Sequence, residues 1–425
     1  MITEASIQKK EIRHRLRLAL GPGLLLAGAA IGVSHLVQAT RAGATYGFGL
    51  FWVLVLAIVS KYPTLEFGPR FAAATGEHMI AGYRRMHRGA FYAYLAITIG
   101  TMFIIQAAVT VVTAGLAEQL FGLGWGNAMW TAVILLLCII LLAVGKYPGL
   151  DLAMKIIISV LTVCTFLAVV LAFGAGNMQR VAETIPAPYW NRVGIGFIIA
   201  FMGWMPIPLD ASVWHSIWTK ERSSQVHQHT TVRAARFDFD VGYGAAALIG
   251  VLFFLLGILI MFGSGETFAD GSVGFSAQLV DLYGRSLGQW SRPLVSVAAF
   301  VAMLSTTLAV TDIYPRVLSE FAVVLRPAAN PLSIRRWVYR SGLVVIPAVA
   351  VIIVFNYTGF TRLIDFAAGL SFVTAPLMAW FNIHLITSPQ VPEAAKPTGA
   401  YLAFSWGCLA FLAVFALGWF YYTFL

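Results

Sequence analysis

The chain has 425 residues, of which 59% are hydrophobic and 11% charged, with a formal net charge of +10 and a mean hydropathy of +0.82. A soluble domain carries roughly 25% charged residues to cover its surface, so this composition excludes a soluble enzyme and puts most of the outer surface in lipid. The positive balance fits basic loops on one side of a membrane, which removes nucleic acid as a partner.

A bilayer core takes about 20 apolar residues as helix. Lys9, Lys10, Arg13, Arg15 and Arg17 form a basic N-terminal tail, 1–19, ahead of the first apolar stretch. Ala27-Gly28-Ala29-Ala30 imitates a signal cleavage site, but the stretch continues and is read as a retained first helix. Eleven spans are predicted, near 20–40, 47–71, 91–119, 128–144, 152–174, 193–219, 243–263, 290–313, 337–356, 363–387 and 401–424. Pro63, Pro315, Pro347 and Pro376 lie in or near spans as tolerated kinks. With the N-terminus inside, the inner loops collect Arg84, Arg85, Arg88, Lys146, Lys155, Lys220, Arg222, Arg233, Arg236, Arg326, Arg335, Arg336 and Arg340. The opposite face is poorer in cations and carries Glu266, Asp270 and Asp281. This asymmetry predicts a multi-pass protein of the inner (plasma) membrane, N-terminus cytoplasmic and C-terminus external. Cys138, Cys164 and Cys408 lie inside apolar runs without a CxxC pair, so neither a disulfide framework nor a zinc ribbon is implied.

Two spans are chemically abnormal. The first holds Gly28, Gly32, Ser34, His35 and Gln38; the sixth holds Met205-Pro206-Ile207-Pro208-Leu209-Asp210, then Ser212, His215 and Ser216. Two prolines two residues apart cannot sit in an unbroken helix, and Asp210 at the midplane costs about 2.5–3.5 kcal/mol unless it faces a cavity or a partner. Spans one and six are five apart. That spacing is expected of two inverted five-helix repeats whose first helices are broken around a midplane site.

Gly21-Pro22-Gly23, the stretch Arg41-Ala42-Gly43-Ala44-Thr45-Tyr46-Gly47-Phe48-Gly49-Leu50-Phe51-Trp52 and Ala74-Thr75-Gly76 together resemble the Nramp (natural-resistance-associated macrophage protein) family. So do Tyr147-Pro148-Gly149-Leu150-Asp151 with Lys155, His215-Ser216, and Leu304-Ser305-Thr306-Thr307. The resemblance covers about residues 20–388. It implies an all-α membrane protein of LeuT-type fold with an appended eleventh helix, and proton-linked uptake of divalent transition metals. The domains are then the tail 1–19, a transporter core 20–388 with repeats at about 20–175 and 193–388, and a loop with the eleventh span at 389–425. The departures are specific. The family's helix-one D-P-G-N motif falls on Gly32-Val33-Ser34-His35, and its helix-six M-P-H motif falls on Pro208-Leu209-Asp210 in one register or begins at Met205-Pro206 in another. The helix-three acids have no equivalent at 95–110, where Gln106 is the nearest polar group.

The candidate substrate-binding residues are Gly32, Ser34, His35, Pro208 and Asp210, with His35 and Asp210 as metal ligands and His215 as a coupling residue. An imidazole, a carboxylate, a hydroxyl and backbone carbonyls, without thiolate or thioether, favour a harder ion than the soft metals. An anion such as bicarbonate is the alternative, because broken helices also present N–H groups and positive half-helix ends. A proton is the expected co-substrate, with sodium left open. Asp312 is read as pairing with Arg316, and Asp365 as a cap on helix ten. His227-x-His229 and the glycosylation-like Asn356-Tyr357-Thr358 carry little weight. No nucleotide-binding or hydrolase motif occurs, so no cofactor, ATP-driven pump or enzyme activity is implied. A secondary transporter of a small inorganic ion is the reading, with no obligate protein partner. A non-transporting protein that kept the fold is the other class.

Overall fold

The computed structural model describes residues 21–144, 148–225, 230–327, 330–357 and 359–424, and among these all regular structure is helical. The basic tail, Lys146, Tyr147, His227-x-His229 and Thr358 lie outside the described residues, as does the side chain of Lys155.

Eight helices are long and apolar enough to cross a bilayer, and Ser159–Gly174 with Asn177–Glu183, bent by 74°, makes a ninth span. Ser34–Thr75 runs for 42 residues, about twice what a bilayer requires. Gly47, at φ +52°, turns the chain within it and divides span one from span two. Span six escapes a length test because it is interrupted, as Arg192–Trp204 and Ala211–Gln225. With these two resolved, the described helices supply all eleven spans.

Span one is Pro22–Ala30, Ser34–Ala39 and Thr40–Tyr46, and span two is Phe51–Thr75. Spans three, four and five are Arg88–Phe121, Gly126–Val144 and Pro148–Gly174. Span seven is Val232–Ile260, eight Ser291–Leu325, nine Pro331–Asn356, ten Phe360–Thr387 and eleven Gly399–Phe424. Two boundaries differ from the hydropathy reading by more than ten residues, and the rest by six or fewer. Span seven begins at Val232 rather than near 243, because the Thr231 hydroxyl accepts the Ala234 N–H and starts a helix whose first turns carry Arg233, Arg236, Asp238 and Asp240. Span eight continues through Pro315 to Leu325 instead of stopping near 313.

Spans one and seven cross closely, and span two packs on span seven and on the second half of span six. Spans three, four, eight and nine pack on one another, the first half of span six rests on span ten, and span eleven lies against two and ten. The result is a bundle of spans one, two, six and seven beside a frame of three, four, eight and nine. Each group takes equivalent members from both halves of the chain.

Asp238 of span seven ties the bundle together at one end. Its carboxylate accepts the N–H groups of Gly21 at 3.0 Å and Gly23 at 2.5 Å, two of the donors a helix start leaves unpaired. Where spans one and seven cross, backbone meets backbone. A Cβ on Gly43 would lie 2.1 Å from Phe254 O, and one on Gly257 would lie 2.2 Å from Thr40 O. Small residues permit this approach between membrane helices. Gly257→Val is expected to lower stability by about 1–3 kcal/mol, read as a fall in the unfolding midpoint of detergent-purified protein. Gly418→Ala in span eleven, where nothing lies within 4 Å, should stay within about 0.5 kcal/mol of the parent.

Candidate functional site

Span one stops at Ala30 and resumes at Ser34 as a wide π-helical turn. Inside the gap, Gly32 N–H donates to Ala30 O at 2.8 Å, a tight turn outside the helical ladder. The loosened carbonyls are met by span eight: Thr306 Oγ1 lies 3.1 Å from Gly28 O and 3.3 Å from Ile31 O. Gly32 leaves room for this contact, since a Cβ there would come within 2.8 Å of Thr306 Oγ1 and Cγ2.

Span six stops at Trp204 and resumes at Ala211, so Met205–Asp210 is non-helical, with a cis Met205-Pro206 bond. Its freed carbonyls are met by a residue that hydropathy hides. Lys61, fully buried in span two, directs Nζ to Gly203 O at 2.8 Å and Ile207 O at 3.2 Å. Asp210 lies close enough to act on this ammonium through its charge.

The two gaps meet. Ser34 Oγ is 3.3 Å from Pro206 O and 3.0 Å from Ala30 O. Beside this contact is a cavity of about 30 Å³, room for one or two waters. Ser34, Pro206, Ile207, Pro208 and Thr306 line it, with apolar walls from Val33, Trp204, Ile105, Val109, Trp214 and Val310. Of the predicted residues, Ser34 and Pro208 border this space, and Gly32 stands behind Thr306.

His35 and Asp210 are not among the lining residues. His35 is completely buried, with Nε2 2.9 Å from Ala246 O and Nδ1 2.7 Å from Ser34 Oγ. A carbonyl only accepts, so Nε2 carries hydrogen, and the remaining lone pair on Nδ1 faces the Ser34 hydroxyl. Both ring nitrogens are engaged within the protein. Asp210 is buried at the start of the second half of span six, its carboxylate against the N–H of Ala211. Among the described residues no three His, Cys, Asp or Glu side chains gather as a metal cluster. His215 is buried one turn further on, with Nε2 3.6 Å from Asp238 Oδ2 and neither ring nitrogen in a hydrogen bond.

Sequence reasoning missed several groups here. Lys61 was legible as an ionisable residue inside the apolar run Ile58-Val59-Ser60-Lys61, which marks function by default in a membrane span. Tyr94, Trp214 and Tyr314 carry buried polar atoms without hydrogen-bond partners, and no sequence signal sets them apart from ordinary interfacial aromatics. Asp365 does not cap span ten, which starts at Phe360. It pairs with Arg41 at 2.9 Å and accepts from Gln38 Nε2 at 2.9 Å, joining span one to span ten. Asp312 pairs with Arg316 as expected, at 2.6 Å. Gln106 donates to Thr311 Oγ1 of span eight at 3.1 Å.

A family model for natural resistance-associated macrophage protein-like sequences matches residues 23–422. An uncharacterized protein of Pasteurella multocida, PM0681, is 32% identical over 392 residues, covering 91% of this chain and 89% of that protein. The divalent metal cation transporter MntH of Staphylococcus aureus is 24% identical, over 79% of this chain and 75% of its own. Among solved structures, a variant of the Eremococcus coleocola manganese transporter superposes with a TM-score of 0.71 at 15% identity, covering 95% of this chain and 86% of that one. MhsT bound to L-phenylalanine follows at 0.68 and 13%, covering 95% and 98%. At these identities the structural likeness establishes the fold, which is LeuT-type.

Thr306→Val keeps the shape but removes the hydroxyl that serves Gly28 O and Ile31 O. Left unpaired in a buried site, such carbonyls cost about 1–3 kcal/mol. The variant should therefore unfold earlier than the parent in a thermal scan, whereas Thr374→Val, whose hydroxyl bonds only carbonyls of its own helix, should change little.

Proposed function

Because the chain belongs to the Nramp family and is a multi-pass membrane protein, we propose that it is a secondary active transporter of a small inorganic ion, a divalent metal cation in the leading reading. The observation that carries the proposal is the contact between two helix interruptions, Ser34 against Pro206, beside a cavity of ion-like size. The relatives named as metal transporters, from S. aureus and E. coleocola, support metal as the cargo. The donors nearest the cavity are oxygens: the Ser34 and Thr306 hydroxyls and the Pro206 carbonyl. Such a set suits a harder ion, magnesium, calcium or manganese, better than a soft one. His35 and Asp210 join the ligand set only in a conformation that turns them toward the cavity.

In this proposal residues 20–388 form the transport unit, with repeats at about 20–175 and 193–388, and the bundle rocks against the frame. A proton is the co-substrate, and His215 beside Asp238 is the coupling residue. The bias of basic residues supports an inner-membrane orientation with the N-terminus cytoplasmic and the C-terminus external.

A second reading, transport of a small anion such as bicarbonate, is favoured by Lys61. Its ammonium touches Ile207, which lines the cavity. Like charges repel more strongly in a low-dielectric interior than in water, so a charged Lys61 disfavours a divalent cation in the cavity and favours an anion.

Uptake into reconstituted vesicles separates the two readings. Manganese, magnesium, calcium and bicarbonate are offered with and without an inward proton gradient. The leading reading expects metal uptake stimulated by the gradient and reduced about tenfold or more by Asp210→Ala or His35→Ala, the loss of about 1.4 kcal/mol of binding. Metal uptake unchanged in both variants removes them from the ligand set. Bicarbonate uptake without metal uptake replaces the leading reading with the second.

A further inference from the structure

The carbonyl end of the first half of span six has its own cation. A helix C-terminus carries about half a negative charge, concentrated on carbonyls with no intrahelical partner. In transporters with broken helices, such ends and the unwound carbonyls beside them hold mobile monovalent cations. Here the half-helix Arg192–Trp204 ends in the non-helical segment Met205–Asp210, and the two carbonyls that bracket its end are those of Gly203 and Ile207. Both are occupied by Lys61 Nζ, which is covalently fixed to span two and entirely shielded from solvent. Asp210 closes the same non-helical segment, so the cluster joins a buried amine to two carbonyl dipoles beside a carboxyl group.

We propose that Lys61 is a tethered cation filling a seat for a monovalent ion, so that this seat takes no free sodium or potassium. Three features of the contact carry the inference. The ammonium bonds carbonyls of a different span, so the contact is not a local helix cap. An ammonium nitrogen 2.8–3.2 Å from two carbonyl oxygens has the geometry of a coordinated ion as well as of a hydrogen-bonded one. The seat also belongs to the moving part of the proposed machine, since span two packs on both the second half of span six and span seven. The substitution is one for one: a tethered amine takes the place of one bound cation, and removing it leaves the carbonyls of Gly203 and Ile207 without a partner. This inference does not depend on the sign of the transported ion.

The test is thermal unfolding of purified protein in detergent, which reads the seat without reading transport. Sodium, potassium and ammonium chlorides are compared with N-methylglucamine chloride at equal ionic strength. The parent should unfold at one temperature in all four salts. Lys61→Met, similar in volume but uncharged, should unfold earlier in N-methylglucamine chloride and recover by about 2–5 °C in one or more small-cation salts. Lys61→Gln can still donate to the carbonyls without supplying charge, and it should gain the same response; it decides the matter if the Met variant does not fold. A parent that is itself stabilised by small cations overturns the proposal. So does a Gln variant with the parent's midpoint in every salt, or one that is destabilised and recovers in none.

Discussion

An interruption of helical winding in the middle of a bilayer releases carbonyls and N–H groups where no water can take them up. The arrangement of this protein around residues 31–33 and 205–210 is organised by that constraint. Thr306 reaches across from the frame to serve the first gap, Lys61 reaches from span two to serve the second, and Ser34 joins one gap to the other. Three different spans thus supply what the broken ladders lack. The site is therefore a junction of the whole bundle rather than a property of spans one and six alone. It is also one of the places where bundle and frame are joined by hydrogen bonds, through Thr306 of span eight and the carbonyls of Gly28 and Ile31.

Much of this could be read in the chain itself, and the reasons for the remainder are specific. Apolar length marked the spans, because lipid imposes one length and one polarity on each of them. Pro206 and Pro208 marked the second gap, because a proline removes a donor wherever it stands. Gly32 with Ser34 marked the first. The start of span seven was misplaced because Asp238 and its neighbours look like a loop by hydropathy, while in space they face the N-terminus of span one. The surroundings of His35 were not legible at all. Its partner is the backbone carbonyl of Ala246, which lies 211 positions away, and a carbonyl has no signature in sequence. Lys61 was legible but passed over, hidden by a run of apolar neighbours that made span two look ordinary.

The membership of the chain in a family with metal-transporting relatives and the chemistry of its centre pull in different directions. The fold carries two interruptions at related places, as a transporter of this architecture requires. Yet the carbonyls of the second interruption are taken by the buried Lys61 amine, and the imidazole is turned to a backbone carbonyl. The cavity between the two interruptions is lined by hydroxyls, carbonyls and apolar side chains, with no carboxylate among its lining residues. That lining distinguishes this chain from a cage of acidic ligands.

The crossing of Gly43 with Gly257 has a mechanical result. Where two helices touch through side chains, they can shift by exchanging rotamers, as in a shear motion. Here the main chains are in contact with nothing between them, so a sliding step drives a carbonyl into a neighbouring Cα. The half of span one that follows the interruption, Thr40–Tyr46, is thereby denied any slide along span seven. The half that precedes it is held in the same way, since a Cβ on Gly23 would lie 2.0 Å from Asp238 O and one on Gly242 2.0 Å from Gly23 O, so span seven serves as a rail to which both pieces of the broken span are fixed.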